Sequence, residues 1–272
     1  MSAALFDWLD RVTWLAEVPR YASAILTRQV QAKISRSRPE CWSDNFAWLP
    51  AENGEERFLT AFANHYGRIR AFHGCRPADL KSYFDYGLHG QTAEILEAQF
   101  LSIFRDLPEQ KLQEALAELK DRKESERGRF WVVLEERELI EHCGHYLIQG
   151  SEYLMALAAS LCRLAPGEDY RMRLRKHGTP TIFELHIPIQ HLQEAQVDAL
   201  ARLVLAAWGE LVSNRPLGMG HSPCLVVRRT VEPQYFVGHT HPARIRDPHL
   251  GHTIYVNQHT RCVHCAEARI DT

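Results

Sequence analysis

The sequence predicts an α+β protein, and three observations carry that prediction. Short apolar segments with strand-like alternation recur, as "RIRAFHGC" at 68–75, "TPTIFELHIPI" at 179–189 and "PCLVVRRTVEPQYFVGH" at 223–239. Longer stretches with helical spacing separate them, the clearest being "LQEAQVDALARLVLAAWGELVSN" at 192–214. In the middle of the chain a strand is followed by several helices in succession rather than by regular strand and helix alternation.

Taken in order, residues 1–35 carry apolar positions at helical spacing (Leu5, Trp8, Leu9, Val12, Leu15, then Tyr21, Ile25, Val30), which predicts one or two helices. Residues 35–55, rich in Ser, Pro and polar side chains, read as an ordered linker held by Trp42 and Trp48. Together 1–55 form a helical N-terminal appendage, with one larger domain over 56–272. After the strand at 68–75, "PADLKSYFDYG" predicts a short helix opened by Pro77 and stopped at Gly87. Helices are predicted at 91–107 and from 107 into a charge-dense tail at 120–129. "RFWVVLEERELIEHC" reads as a strand, and "GSEYLMALAASLCRL" as an apolar helix with Ser151 near its start. From His239 onward the chain is rich in His without clear periodicity.

Composition narrows the function. Lysine plus arginine, 32, against aspartate plus glutamate, 34, gives a net charge of −2 over 272 residues, so no whole-molecule field draws the protein onto nucleic acid or membrane. No run of eighteen apolar residues exists, and the first twenty residues lack the uncharged core of a signal peptide. Seven scattered cysteines fit free thiols in a reducing compartment. A cytoplasmic protein with no membrane partner is the expectation.

His73-Gly74-Cys75-Arg76, then Leu80, Tyr83 and Gly87-Leu88, resemble the opening motif of the ADP-ribosyltransferase superfamily, in the form carried by poly(ADP-ribose) polymerases and RNA 2′-phosphotransferases. "CGHYLIQGSEYL" resembles its Gly-x-Tyr-Phe stretch with the serine and tyrosine that follow, and "TVEPQYFVGH" its late strand. The three pieces lie in the family's order across residues 68–240. The resemblance implies two split, mostly antiparallel sheets around a cleft, with helical insertions and NAD as substrate. It implies that His73 hydrogen-bonds a ribose hydroxyl, that the Gly74 backbone and Ser151 hold the carboxamide, and that Tyr153 or Tyr146 stacks on nicotinamide. Ser151 is equally suited to capping its helix. Arg76, with Arg68, Arg70 and the arginines of "DYRMRLRKHG", would hold the NAD pyrophosphate, line a path for an acidic acceptor, or simply meet solvent.

Such residues suit the chemistry. Breaking the nicotinamide glycosidic bond builds an oxocarbenium-like ribose, which calls for a grip on the departing amide and negative charge beside the sugar. For that charge the sequence offers Glu232, or Gln234 at the position that matches the family's acid. The family also implies a macromolecular acceptor, RNA or DNA ahead of protein, a toxin or effector role with an antitoxin as regulator, and, if the acid is lost, a module that only binds NAD or ADP-ribose. No metal is expected. Cys262-x-x-Cys265 has His252, His259 and His264 nearby but no second Cys-x-x-Cys, and reads as an ordinary segment. His239, His241, His249 and His252 read as surface histidines.

Overall fold

The computed structural model describes residues 4–126, 128–217 and 222–265. The chain opens with β1 (Ala4–Phe6), α1 (Arg11–Tyr21), α2 (Arg28–Ser37) and α3 (Gly54–His65). Next come β2 (Tyr66–Cys75), α4 (Lys81–Tyr86), α5 (Ala93–Ile103), α6 (Glu109–Glu118) and β3 (Phe130–Val133). Then α7 (Glu136–Glu141), α8 (His145–Ile148), α9 (Glu152–Leu164), α10 (Arg171–Leu174) and β4 (Thr181–Pro188) follow. The long α11 (Glu194–Val212) leads to β5 (Cys224–Val227), β6 (Phe236–Thr240), β7 (Arg244–Asp247) and β8 (Thr253–Val256).

The fold is α+β, as the sequence predicts. Among the described residues a six-stranded sheet has the order β5-β3-β2-β4-β6, with β1 added in parallel to β2, and β7 and β8 form a separate two-stranded sheet. The β2/β3 and β4/β6 ladders are antiparallel, with Phe72 opposite Val133 and Phe183 opposite His239.

The chain forms two compact units, Met1–Ala71 with His186–Leu225, and Phe72–Leu185 with Val226–Thr272. A boundary after residue 55 therefore does not match the division. The N-terminal helices share a unit with α11, against which α1, α2 and α3 all pack. Aromatic rings centre this unit, with Phe6 5.1 Å from Tyr66 and Phe62 5.0 Å from Tyr66, all fully buried. In the 35–55 segment Trp48 lies against Gly209 of α11, while Trp42 is exposed.

The second unit holds the resembling motifs. Its helical layer packs Leu96 and Phe100 of α5, Phe104 just after it, Leu112 and Ala115 of α6, and the apolar face of α9 into one core. Two sequence expectations shift here. The strand at 129–143 ends at Val133, and α7 begins three residues on, where Glu136 and Glu138 sit in its first turn and complement the helix N-terminus. The short helix begins at Lys81 rather than Pro77, because the Asp79 carboxylate accepts the Lys81 N–H (2.9 Å) in a local turn.

Candidate functional site at the Gly87 corner

Strand parity sorts the motif residues onto two faces of β2. Residues two apart share a face, so His73 and Cys75 look one way and Phe72 and Gly74 the other. On the His73 side, the His73 Nδ1–H donates to the Trp131 carbonyl (2.8 Å), and Phe130 meets the imidazole edge-on at 5.4 Å. Burial lowers the His73 pKa, opposed by the bond to Trp131. The ring is therefore neutral near pH 7, with Nε2 as its acceptor.

Helix α4 lies over this face. Tyr83 hydrogen-bonds Cys75 and stacks on Phe183 of β4 at 4.9 Å, while Phe84 meets Phe236 and His239 of β6. Burial pushes the Cys75 thiol up to about 12, so it is no nucleophile.

Helix α4 stops at Gly87, which adopts φ +86. The chain then crosses the segment before β6. Leu88 N–H donates to the Val231 carbonyl (2.9 Å), and Val231 N–H returns a bond to the Leu88 carbonyl (3.0 Å). A Cβ on Gly87 would stand 2.3 Å from the Val231 oxygen and 3.1 Å from Glu232 Cα, so only glycine permits this crossing. Beside it, His89 Nδ1 and Thr230 Oγ1 lie 3.0 Å apart.

The crossing sets Glu232 against the Gly-Leu turn. Its Oε2 is buried without a hydrogen-bond partner among the described residues. Residues Pro233–Tyr235 form a 3-10 turn rather than strand, so Glu232 and Gln234 do not share a strand face, and Gln234 is exposed. Of the two candidate acids or amides, the turn keeps Glu232 inward and sends Gln234 to the surface.

The remaining expected ligands are engaged elsewhere. Gly74 is buried against α7 and α8, where an added Cβ would fall 2.9 Å from Leu139 and 3.3 Å from Leu147. Its missing side chain makes room for those leucines. Arg76 is spent on backbone: its Nε donates to the His177 carbonyl (2.8 Å), one terminal nitrogen to Leu147 (3.0 Å) and the other to Arg175. Tyr153 is fully buried in the α5/α6/α9 core and donates its hydroxyl to Glu97 (2.9 Å), so neither ring face is open for stacking. Ser151 caps α9, its Oγ accepting the Leu154 N–H at 3.2 Å. Tyr146, half-buried beside the His145 ring at 4.1 Å, donates to Glu152 (2.9 Å). The arginines of 170–178 are paired as well, Arg171 with Asp169, Arg173 with Asp106 and Glu168, and Arg175 with Asp247. A groove lined by Tyr21, Asn53, Arg57, Thr60 and His65 belongs to the first unit and contains none of the motif residues.

The sequence missed one convergence in this unit. Cys262 and Cys265 return to His239 and His241, with one ligand atom from each within 4.8 Å of all the others. His252, His259 and His264, the histidines nearest in sequence, are not in that group. The signal available was the His-x-His spacing at the end of a strand, which puts both rings on one face. No protein-family model, no curated protein and no solved structure gives a significant match to this chain.

Proposed function

We propose that the protein is an NAD-dependent ADP-ribosyltransferase whose working residues are His73 and Glu232. The observation that carries this reading is the Leu88–Val231 crossing, which joins the His-Gly…Gly-Leu segment to an inward acid whose Oε2 has no partner among the described residues. An unpaired buried carboxylate oxygen costs on the order of 1–3 kcal/mol, a cost consistent with a ligand that supplies the missing donor. The C1′–N bond to nicotinamide breaks, the electron pair leaves with the neutral ring, and Glu232 balances the positive ribose. An acceptor oxygen or nitrogen then bonds to C1′ and gives up its proton to Glu232. His73, neutral with its proton on Nδ1, accepts a hydrogen bond from a ribose hydroxyl through Nε2.

In this reading the six-stranded sheet and the β7–β8 sheet correspond to the family's two sheets, and Tyr146, half-buried where Tyr153 is fully buried, is the tyrosine that would stack on nicotinamide. The acceptor is a macromolecule, nucleic acid ahead of protein, and the activity suits a toxin or effector held by an antitoxin.

A second reading, an NAD or ADP-ribose binding module without transfer, is favoured by Gln234 at the position that matches the family's acid. One experiment separates them. The chain is incubated with NAD labelled in the ADP-ribose part and total cell extract, nicotinamide release is measured, and the product is digested with nuclease or protease. Transfer predicts release that falls about 100-fold or more in Glu232→Gln and is unchanged in Gln234→Ala. NAD binding by calorimetry without any release establishes the module, and absence of both binding and release defeats both readings.

A further inference from the structure

We propose that His239, His241, Cys262 and Cys265 form a tetrahedral zinc site. The side-chain distances already match such a site. His239 Nε2 lies 3.2 Å from Cys262 Sγ and 3.4 Å from Cys265 Sγ, and the two sulfurs are 3.6 Å apart. With zinc–sulfur bonds of about 2.3 Å and zinc–nitrogen bonds of about 2.05 Å, the edges of a tetrahedron are about 3.8 Å between sulfurs and about 3.6 Å between sulfur and nitrogen. The three edges among His239, Cys262 and Cys265 need only a few tenths of an ångström of expansion to close on a metal, and the His241 ligand atom lies within 4.8 Å of all three.

His241 supplies the independent observation. It is 6 % exposed, and its Nδ1–H donates to the Pro180 carbonyl (2.9 Å) beside Thr181 Oγ1 at 3.3 Å. That bond fixes the tautomer and leaves the Nε2 lone pair, which is buried and has no partner among the described residues. A metal-binding histidine held by a carbonyl on its other nitrogen has this arrangement.

The backbone prepares the remaining ligands. His239 and His241 are two apart at the end of β6, so both rings leave the same face. Cys262 and Cys265 flank a tight turn in which Cys265 N–H donates to the Cys262 carbonyl (3.2 Å). Cys262 N–H points back at Cys265 Sγ (3.4 Å). Both cysteines are free thiols. Two thiolates and two imidazoles in tetrahedral disposition select zinc over hard cations such as magnesium or calcium. With all four corners taken by protein, the site is structural, with no position left for water chemistry. It ties the segment after β8 to β6, beside Phe84 of α4, whose ring is 5.4 Å from His239 and 5.2 Å from His264.

The test uses the full chain, purified under reducing conditions, equilibrated with zinc and desalted. Elemental analysis is expected to give about one zinc per chain, and cobalt(II) in its place the intense visible bands of a tetrahedral thiolate site. His241→Gln and Cys262→Ser are each expected to hold less than about a tenth of the wild-type zinc, whereas His252→Gln and His259→Gln keep it all. Should a variant fail to fold, the cobalt spectrum of the unaltered chain decides alone. The proposal is overturned by fewer than about 0.2 zinc per chain with all thiols reduced, by an octahedral cobalt spectrum, or by retention of zinc in a folded His241→Gln chain. It is equally overturned by a mass two hydrogens lighter that locates a Cys262–Cys265 disulfide after reducing purification in the presence of zinc.

Discussion

The corner at Gly87 and the seat of Gly74 begin from the same kind of sequence signal, a glycine where a side chain would be expected, and they end in opposite uses. At Gly87 the missing Cβ admits another stretch of backbone, and that stretch carries an acid with it. At Gly74 the space is filled by Leu139 and Leu147, and the glycine serves packing. A glycine that admits backbone is intolerant of any substitution, whereas one that admits leucine tips is graded, because side-chain ends can shift. The family-like motif is thus split between a half that reaches a candidate acid and a half absorbed into the core.

Substitutions sharpen that contrast. Gly87→Ala combines a left-handed φ with a 2.3 Å clash on a carbonyl and is expected to destabilise by about 3 kcal/mol, read from denaturant midpoints. Gly74→Ala meets only methyl groups and is expected to lower stability by about 2 kcal/mol, with the difference lost if Leu139→Val is added to make room. A Gly74→Ala penalty as large as that at Gly87 would break the comparison. Ser151→Ala removes the α9 cap and is expected to cost about 1 kcal/mol without changing NAD affinity. A loss of NAD binding in that variant would return Ser151 to the ligand.

The smallest expected effect concerns pH. The folded His73 pKa lies below its unfolded value, so the unfolded chain takes up the proton first. The contribution is whole above the ordinary imidazole value of 6.5 and is lost as pH falls below it. His145 and His177 are shifted the same way by burial and share this acid limb. Melting temperature against pH is therefore expected to fall less steeply below pH 6.5 in His73→Gln, and an unchanged slope would mean that the imidazole is better solvated than its surroundings indicate.

Elements with strong local patterns were legible. Helix α11, predicted over 192–214, spans Glu194–Val212, and β4, predicted over 179–189, spans Thr181–Pro188. The Ser151 cap and the stop at Gly87 were also readable, because each is a local backbone requirement. What escaped depends on residues distant in sequence. Nothing near Gly74 names Leu139, and nothing near Tyr153 names Glu97. That a turn at Pro233–Tyr235 separates Glu232 from Gln234 was not readable. The hairpin of β7 and β8 is short and its strands carry exposed Ile254 and Val256, so its alternation was hidden, and with it the return of Cys262 to His239.

The strand order has a kinetic corollary. In the six-stranded sheet β2 hydrogen-bonds to β4, yet β2 ends at Cys75 and β4 begins at Thr181, so a whole helical layer is synthesised between them. Loop closure of that span must precede any reward from strand pairing, which slows this part of folding relative to the local helices. Until β4 arrives, one edge of β2 stands open, a row of unpaired backbone groups that another chain could meet.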